Sequence, residues 1–420
     1  MRSTSTSEPR IALCLSGGGF RAALFHLGVL RRLHETGVLE RVATVSSVSG
    51  GSILAGFLAR RTVECGWASL GTVGDWEDEV AAPFRELCSS DLRTAPVVRH
   101  ALWSWVVPGP LARAMVRRYR RLVPLELGNL PIRPRFVLLA TDVAFGVSWV
   151  FTRSHMGDYL AGYARTPPGF PLAFAVAASA CFPPLFGPMR VPLEPEAFRR
   201  GRYRGEDRGR IMCRLALTDG GVYDNLGLEP ALRGHHVAVV SDAGGPFQFV
   251  PSRAPLLRYM RYPSLLMNQV AALRKRQLMS LIEEQGGEGA WAEEGPREGG
   301  GRPRLRRGVY LGIDSCARGA GAARVGQGHW AGYGEALVRS RIAHVRTDLD
   351  RFTRAEQEIL ENHGYSVASA ALERRLPDLL QSPRPVAEPP HPDRLDDAAA
   401  ERALAASHRR LSLRRLLHLV

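Results

Sequence analysis

The sequence predicts an α/β fold in which a mainly parallel central sheet lies between two layers of helices, with helical inserts and a C-terminal helical tail. Three observations predict it. Short apolar runs alternate with helical runs from the start of the chain, glycine-rich turns follow the apolar runs, and 45% of the 420 residues are hydrophobic. Such a chain can fill a sizeable core, and the helices supply the crossovers that parallel strands need.

Two strand–helix pairs open the chain. The predicted elements are, in order, a buried strand at 10–15, a glycine turn at 16–19, a helix at 21–36, a strand at 43–45 and a helix at 53–59. The leucines of the first helix recur on one side, and Gly37 supplies its C-terminal stop. Because a helix separates the two strands, they are expected to be parallel neighbours.

Further apolar and helical runs continue to residue 376. The predicted strands are at 135–141, 147–152, 211–217, 236–241 and 309–313, and the predicted helices at 171–180, 226–233, 256–284, 335–344 and 354–376. We expect one α/β domain over 1–380, with a helical insert at 62–130 and a mobile loop at 285–307. Residues 381–420 are predicted to form a proline-rich linker and a basic helical tail.

The chain is strongly basic, with a net charge of +15 and an isoelectric point near 10.3. Such a charge favours anionic membranes or nucleic acid. Lys275 is the only lysine, however, and an arginine bias of this kind is typical of GC-rich coding. Nucleic-acid binding is not expected, because no aromatic-interleaved basic motif is present. The tryptophan-bearing run 97–107 and the tail 396–420 each have two interpretations, contact with a lipid surface or packing within the fold.

The six cysteines are scattered, with no C-x-x-C pair and no histidine at metal-ligand spacing. A reduced, cytoplasmic and metal-free protein is the simplest interpretation. The polar start, residues 1–10, lacks the features of a signal peptide. Residues 11–30 are apolar, but three consecutive glycines, Arg21 and His26 favour a strand, a turn and a helix over a membrane span.

A glycine-rich segment, residues 16–21, lies where the first strand ends and the first helix begins. Its bare amides and the positive end of the helix form a site for a negatively charged oxygen. One interpretation is pyrophosphate binding, since Gly17, Gly19 and Ala22 satisfy G-x-G-x-x-A and Glu40 stands where a ribose-binding acid could follow. The other interpretation is an oxyanion hole for acyl transfer.

A serine elbow follows the next strand, at Ser49 within the small-residue run 46–52. A serine hydroxyl becomes a nucleophile when the backbone exposes it on a sharp turn beside a base and oxyanion donors. The usual elbow is G-x-S-x-G, and Ser47 replaces its first glycine. Since Ser49 follows the strand next to the glycine loop, the oxyanion interpretation explains both features, whereas dinucleotide binding explains one.

The third motif is Asp219, which ends a further apolar strand and is followed by Gly220 and Gly221. A carboxylate shielded from water beside a serine can take the hydroxyl proton and return it to the leaving group. The alternative is an Asx turn that ends a strand. All three loops are expected at the carboxyl ends of parallel strands, where open α/β sheets place their active sites.

With these motifs together, the chain resembles the patatin-like phospholipases in their bacterial form. That family is marked by a G-G-G-x-R-G motif, a G-x-S-x-G elbow and a D-G-G/A motif. Ala22 replaces the last glycine of the first motif, Ser47 replaces the first glycine of the second, and the third is intact at 219–221. The stretches that are also similar to family sequence are 140–142, 178–184 and 219–227. The resemblance covers residues 10–245 and, more loosely, 305–376, and neither replacement involves a reacting atom.

The resemblance implies a patatin-like hydrolase domain that works through a Ser/Asp dyad without a histidine, metal or cofactor. The implied residues are Ser49 as nucleophile, Asp219 as base, the amides of Gly17, Gly18, Gly19 and Gly50 as oxyanion hole, and Arg21, Gly220 and Gly221 in support. The alternative is a conventional triad through His235 or His236. The other interpretation of these two histidines is that they are solvent or strand-end residues without a catalytic role.

The expected function is hydrolysis of fatty acyl esters of phospholipids or related lipids through an acyl-enzyme. The expected location is the cytoplasm, with peripheral contact to an anionic membrane. Two alternatives are a lipid-surface binding protein on a degenerate hydrolase scaffold and a dinucleotide-binding oxidoreductase. Labelling of Ser49 by a fluorophosphonate would exclude the first, and absence of NAD(P) or flavin binding would exclude the second.

Overall fold

A computed structural model describes most of the chain. The described residues are 9–67, 70, 75–92, 110–183, 186–246, 255–283, 305–318, 330–382, 386–405 and 407. The tryptophan-bearing run 97–107, most of the predicted loop 285–307 and the end of the tail after residue 407 lie outside these ranges.

A mixed sheet of ten strands forms the centre of the described part of the molecule. The strands are β1 (Ile11–Leu15), β2 (Val42–Val48), β3 (Arg135–Asp142), β4 (Val147–Phe151), β5 (His155–Asp158), β6 (Gly162–Arg165), β7 (Met189–Arg190), β8 (Ala216–Asp219), β9 (Val237–Asp242) and β10 (Arg307–Gly312). Their order is β10-β9-β1-β2-β3-β4-β5-β6, while β8 pairs with β3 and β7 with β8. The first five strands in this order are parallel, and strands β4 to β8 run antiparallel to their neighbours.

Helices cover both faces of this sheet. They are α1 (Gly19–Glu35), α2 (Gly50–Cys65), α3 (Ala82–Cys88), α4 (Pro110–Leu122), α5 (Leu172–Ser179), α6 (Arg208–Met212), α7 (Gly221–Asp224), α8 (Pro255–Glu283), α9 (Glu335–Ser340), α10 (Arg354–Arg375) and α11 (Asp397–Ala405). Alternate side chains of β1 show the three layers. Leu13 and Leu15 pack in the core with α1, α2 and α10, whereas Cys14 faces Leu278 of α8. The predicted α/β class is confirmed, with a sheet that is mixed rather than mainly parallel.

The structure differs from the predicted elements most clearly in three places. The β5–β6 hairpin was not predicted, because its four-residue strands, HMGD and GYAR, show no clear apolar alternation. The predicted strand 211–217 is the end of α6 followed by β8. The predicted helix 226–233 is wrong, because Gly227 has a φ of 63° and the Asp224 carboxylate accepts hydrogen bonds from the amides of Leu226 and Leu228, which holds this segment in turns.

Helices α1 and α10 pack with their backbones in close approach. A Cβ added at Gly28 would lie 1.9 Å from the Glu361 carbonyl oxygen, and one at Gly364 would lie 2.0 Å from the Phe25 carbonyl oxygen. Two glycines that oppose each other across the contact therefore set the distance between the helices.

Gly28→Ala is expected to lower the free energy of unfolding by about 1–3 kcal/mol or more, because the added methyl group forces the two helices apart. Gly209→Ala is the matched control, since no atom lies within 4 Å of a Cβ at this helical position and both variants gain the same helix propensity. Urea unfolding measures the difference. Equal stability of the two variants would contradict the packing described.

The described part of the C-terminal tail packs on its own domain. Ala400 and Leu404 of α11 are buried, and Ser407 accepts a hydrogen bond from Arg346 at 2.9 Å. Of the two interpretations of the tail, packing within the fold therefore applies to α11. In the part of the chain that the structure describes, no helix is both long and apolar enough to cross a bilayer.

Candidate active site

The candidate site lies where two strands meet end to end beside β3. β2 runs parallel to β3 and ends with Val48 opposite Leu139. β8 runs antiparallel to β3 and ends with Asp219 opposite Ala140, the next residue of β3. β4 pairs with one edge of β3. β2 and β8 therefore share the other edge, where β2 pairs with the first part of β3 and β8 with its last residues. The ends of β2 and β8 therefore face each other, which brings Ser49 and Asp219 together.

This arrangement corrects one prediction. Two of the three loops follow parallel strands, β1 and β2, as expected. Asp219 instead ends an antiparallel strand that enters from the opposite direction. Its strand is short and pairs with β3 only near the end of β3, so the local sequence carries no signal of its direction.

Ser49 occupies a strained turn between β2 and α2. Its φ of 50° and ψ of −117° lie outside the usual regions for a residue with a side chain, at a cost of roughly 1–3 kcal/mol. The carbonyl of Ser49 accepts hydrogen bonds from the amides of Ser52 and Ile53 at 2.9 and 3.2 Å, which starts the helix. The turn therefore presents the hydroxyl at the helix N-terminus, as a nucleophile elbow does.

A buried group of serines holds this turn in place. The Ser179 hydroxyl accepts a hydrogen bond from the Ser49 amide at 3.0 Å and donates one to the Leu139 carbonyl at 2.6 Å. Ser52 lies 2.8 Å from the Ser179 oxygen and donates to the Ser47 hydroxyl at 2.9 Å. Ser47, which stands where the usual elbow has glycine, thus accepts a hydrogen bond from Ser52 within the turn.

The glycine loop and the start of α2 present unpaired amides. Gly18 and Gly19 have φ angles of 143° and 60°, which favour glycine. Among the described residues, the amides of Gly18, Gly19 and Gly50 donate to no acceptor, whereas the Gly17 amide donates to the Asn225 carbonyl at 3.2 Å. Amides at two helix N-termini are suited to a negatively charged oxygen.

Arg21 holds the glycine loop to two other chain segments. Its guanidinium is buried and donates hydrogen bonds to the backbone carbonyls of Ala243, Ala343 and Val345 at 2.7–3.1 Å. These contacts fit a role in steadying the loop.

His235 and His26 are placed away from a triad geometry. His235 contacts the Thr44 hydroxyl at 2.8 Å, near the start of β2 and so at the opposite end of the strand from Ser49. His26 is buried beneath the glycine loop, where it contacts the Ser241 hydroxyl at 2.6 Å and the Ser16 carbonyl at 3.0 Å. Burial lowers the pKa of His26 to about 4, so this ring is neutral at pH 7 and supports the loop by hydrogen bonding.

Asp219 is a buried carboxyl group with one free oxygen. Its Oδ1 accepts the Gly221 amide at 2.7 Å, and its Oδ2 forms no hydrogen bond with the described residues. Burial raises the pKa of Asp219 to about 7. The Ser49 hydroxyl beside it and the Gly221 amide lower this pKa, but their effect is smaller than that of burial. Gly220 is required for close approach, because a Cβ there would lie 2.5 Å from the Leu139 carbonyl oxygen.

Asp219→Asn is expected to stabilise the fold more at about pH 8 than at about pH 5. Because the pKa of the folded state exceeds that of the unfolded chain, the stability contributed by this carboxyl group is present at acid pH and is lost as the pH rises through about 7. The increase in Tm of the variant over wild type should therefore grow by a few °C between the two pH values. The exposed Asp393→Asn is the control, and a pH-independent difference in Tm would contradict the buried, ionising carboxyl group.

The position of Glu40 does not fit the dinucleotide interpretation of the glycine loop. Glu40 precedes β2 and so lies at the opposite edge of the sheet from the glycine loop, where it cannot bind the ribose of a dinucleotide at Gly17. Within the described ranges, no group of three or more His, Cys, Asp or Glu side chains could hold a metal ion.

Comparisons with known proteins point to one family. The model for Patatin-like phospholipase matches residues 13–232. Two curated fungal relatives, from Aspergillus niger and Aspergillus oryzae, are described as patatin-like phospholipase domain-containing proteins. Each is 46% identical over 59 residues, which is 14% of this chain and 8% of theirs.

Two solved structures are similar at lower identity. The human GIVD cytosolic phospholipase A2 is 12% identical with a TM-score of 0.43, over 96% of this chain and 63% of that one. VipD from Legionella pneumophila is 15% identical with a TM-score of 0.37, over 88% of this chain and 67% of its own.

Proposed function

The chain belongs to the patatin-like phospholipase family, and we propose that it is a serine acyl hydrolase that cleaves fatty acyl esters of phospholipids or related lipids. One observation carries the proposal: the strained turn of Ser49 faces the buried carboxyl group of Asp219. This turn also lies against the free amides of the glycine loop, since a Cβ at Gly50 would meet the Gly19 carbonyl oxygen.

In the proposed reaction, Asp219 takes the hydroxyl proton of Ser49 on its free Oδ2 while the serine oxygen attacks the ester carbonyl carbon. The amides of Gly18, Gly19 and Gly50 stabilise the negative oxygen of the tetrahedral intermediate. The proton then passes from Asp219 to the leaving alcohol as the ester bond breaks, which leaves an acyl-enzyme.

Deacylation repeats these steps with water. Asp219 takes a proton from the attacking water molecule, and the proton returns to the serine oxygen as the fatty acid leaves. A histidine is not needed, because a carboxyl group with a pKa of about 7 is already a suitable base near neutral pH. In this proposal Gly17 permits the close approach of its loop to Ser49, whose Cβ would lie 3.0 Å from a Cβ at Gly17.

The pH dependence follows from the Asp219 carboxyl group. Because only the ionised base accepts the serine proton, kcat/KM for a short-chain soluble ester should rise about tenfold per pH unit well below pH 7 and become constant above about pH 8. Asp393→Asn should give the same profile as wild type. A kcat/KM value that does not change between about pH 5 and pH 9 would exclude Asp219 as the base.

Product analysis tests the substrate class. Incubation of the full chain with a phospholipid extract should release free fatty acids and lysolipids, which mass spectrometry identifies together with their head groups. Hydrolysis of soluble esters without release of fatty acid from any lipid would contradict the lipid assignment and leave a general esterase.

A further inference from the structure

Helix α8 carries a stripe of large apolar side chains that face solvent. Tyr262, Leu266 and Leu273 are 65%, 65% and 57% exposed. At 100° per residue these three positions lie within a narrow sector of the helix surface. Leu265 at the edge of this sector is also exposed. Large apolar residues concentrated on one helix face mark an interaction surface, whereas scattered ones do not.

The C-terminal end of the stripe lies near the candidate active site. Near its C-terminal end, α8 packs on the sheet through Leu278, and Ile282 contacts the backbone at Gly308 near the start of β10. Further toward its N-terminus, Arg274 lies 5.4 Å from the ring centre of Tyr223, in the short helix that follows Asp219. The helix therefore runs from the amino ends of the strands toward the edge that holds the site. The residues before Arg274 extend roughly 27 Å further at 1.5 Å per residue.

The charge of α8 indicates what binds there. The helix carries five basic residues and a single acidic one, Glu283 at its last position. The basic residues are Arg258, Arg261, Arg274, Lys275 and Arg276. Arg274 and Lys275 lie over the rings of Tyr223 and Tyr310 in the domain, so the charge offered to a membrane is that of Arg258, Arg261 and Arg276. A helix with exposed leucine and tyrosine side chains and several basic residues is typical of an element that lies in the plane of an anionic membrane surface. The same excess of positive charge would oppose pairing of this face with a second copy.

We propose that the N-terminal two-thirds of α8 docks the protein on an anionic phospholipid surface, with Tyr262, Leu266 and Leu273 inserted among the lipids. This docking rests on the proposed function, for it would bring the Ser49 site to the membrane that supplies the substrate. Phe182 is a further exposed apolar side chain near this site, since it is 48% exposed and follows Cys181, whose carbonyl accepts a hydrogen bond from the Asp219 amide. The docking surface and the site would then contact one bilayer together.

Vesicle flotation tests the docking surface without catalysis. Full-length Ser49→Ala protein is mixed with vesicles of phosphatidylcholine containing about a quarter phosphatidylglycerol, and with vesicles of phosphatidylcholine alone. The triple variant Tyr262→Ser, Leu266→Ser and Leu273→Ser, made in the same background, should bind the anionic vesicles at least about tenfold more weakly. The control is Val63→Ser, Ile132→Ser and Val386→Ser, at side chains that are 48%, 74% and 58% exposed elsewhere, and it should bind within about twofold of its parent.

Three outcomes would overturn the docking surface. The first is equal binding by the two triple variants, and the second is no preference of the parent for anionic vesicles. The third is self-association without lipid that the α8 variant abolishes, because this result would assign the stripe to contact with a second copy.

In the Ser49-containing protein, the α8 variant should cleave a soluble short-chain ester at the wild-type rate and lose activity on vesicles. If the soluble ester is cleaved equally with and without Ser49, the proposed function fails, while the flotation result still decides the docking surface.

Discussion

Ser49→Ala is expected to lower kcat for ester hydrolysis by at least about 1,000-fold, because the variant lacks the oxygen that forms the acyl-enzyme. The turn that holds this residue is fixed by backbone hydrogen bonds and by Ser179, so the variant should fold normally. Ser340→Ala, at an exposed position of α9, is the matched control and should keep full activity. Fatty acid release under single-turnover and steady-state conditions measures the loss.

The carboxyl partner can be tested in the same assay. Asp219→Asn keeps the Oδ1 atom that accepts the Gly221 amide and removes the ability to take a proton. A loss of similar size in this variant, together with normal folding, would assign the base role to Asp219. Retention of more than about a tenth of wild-type activity would exclude the proposed dyad.

Gly50→Ala is expected to lower kcat by about 100- to 1,000-fold. A Cβ at this position would lie 2.1 Å from the carbonyl oxygen and 2.8 Å from the amide nitrogen of Gly19. The substitution must therefore move the glycine loop away from the start of α2 and separate the amides proposed to hold the oxyanion.

The control for this loop is again Gly209→Ala, where a Cβ meets no atom within 4 Å. Circular dichroism and thermal unfolding distinguish a displaced loop from an unfolded protein. Full activity of a folded Gly50→Ala protein would show that the Gly19 and Gly50 amides do not act together on the reacting oxygen.

The chemistry-bearing residues of this site could be predicted from sequence because each stands at the end of an apolar run. The glycine loop follows β1 and Ser49 follows β2, and the parallel pairing of these strands is expected when a helix separates two short strands. Local pattern is sufficient for such elements, since strand, turn and helix signals are all within a few residues of each other.

The contacts that complete the site could not be predicted in this way. Ser179 binds the Ser49 amide across 130 residues of chain, and its only signal was the similarity of the stretch 178–184 to family sequence. His26 is one of many buried residues of α1, and nothing in its neighbourhood indicates a bond to the Ser16 carbonyl. The direction of β8 depends on pairing with β3, which is decided by the packing of the whole sheet.

Covalent labelling distinguishes a nucleophilic Ser49 that Asp219 activates from an unreactive serine. The full chain is treated with a fluorophosphonate, digested, and analysed by mass spectrometry to locate the adduct. We predict one adduct on Ser49, none in Ser49→Ala, and labelling of Asp219→Asn at least about 100-fold slower. An adduct on a different serine, or labelling of Ser49 at the same rate without the Asp219 carboxylate, would exclude the proposed Ser49–Asp219 dyad.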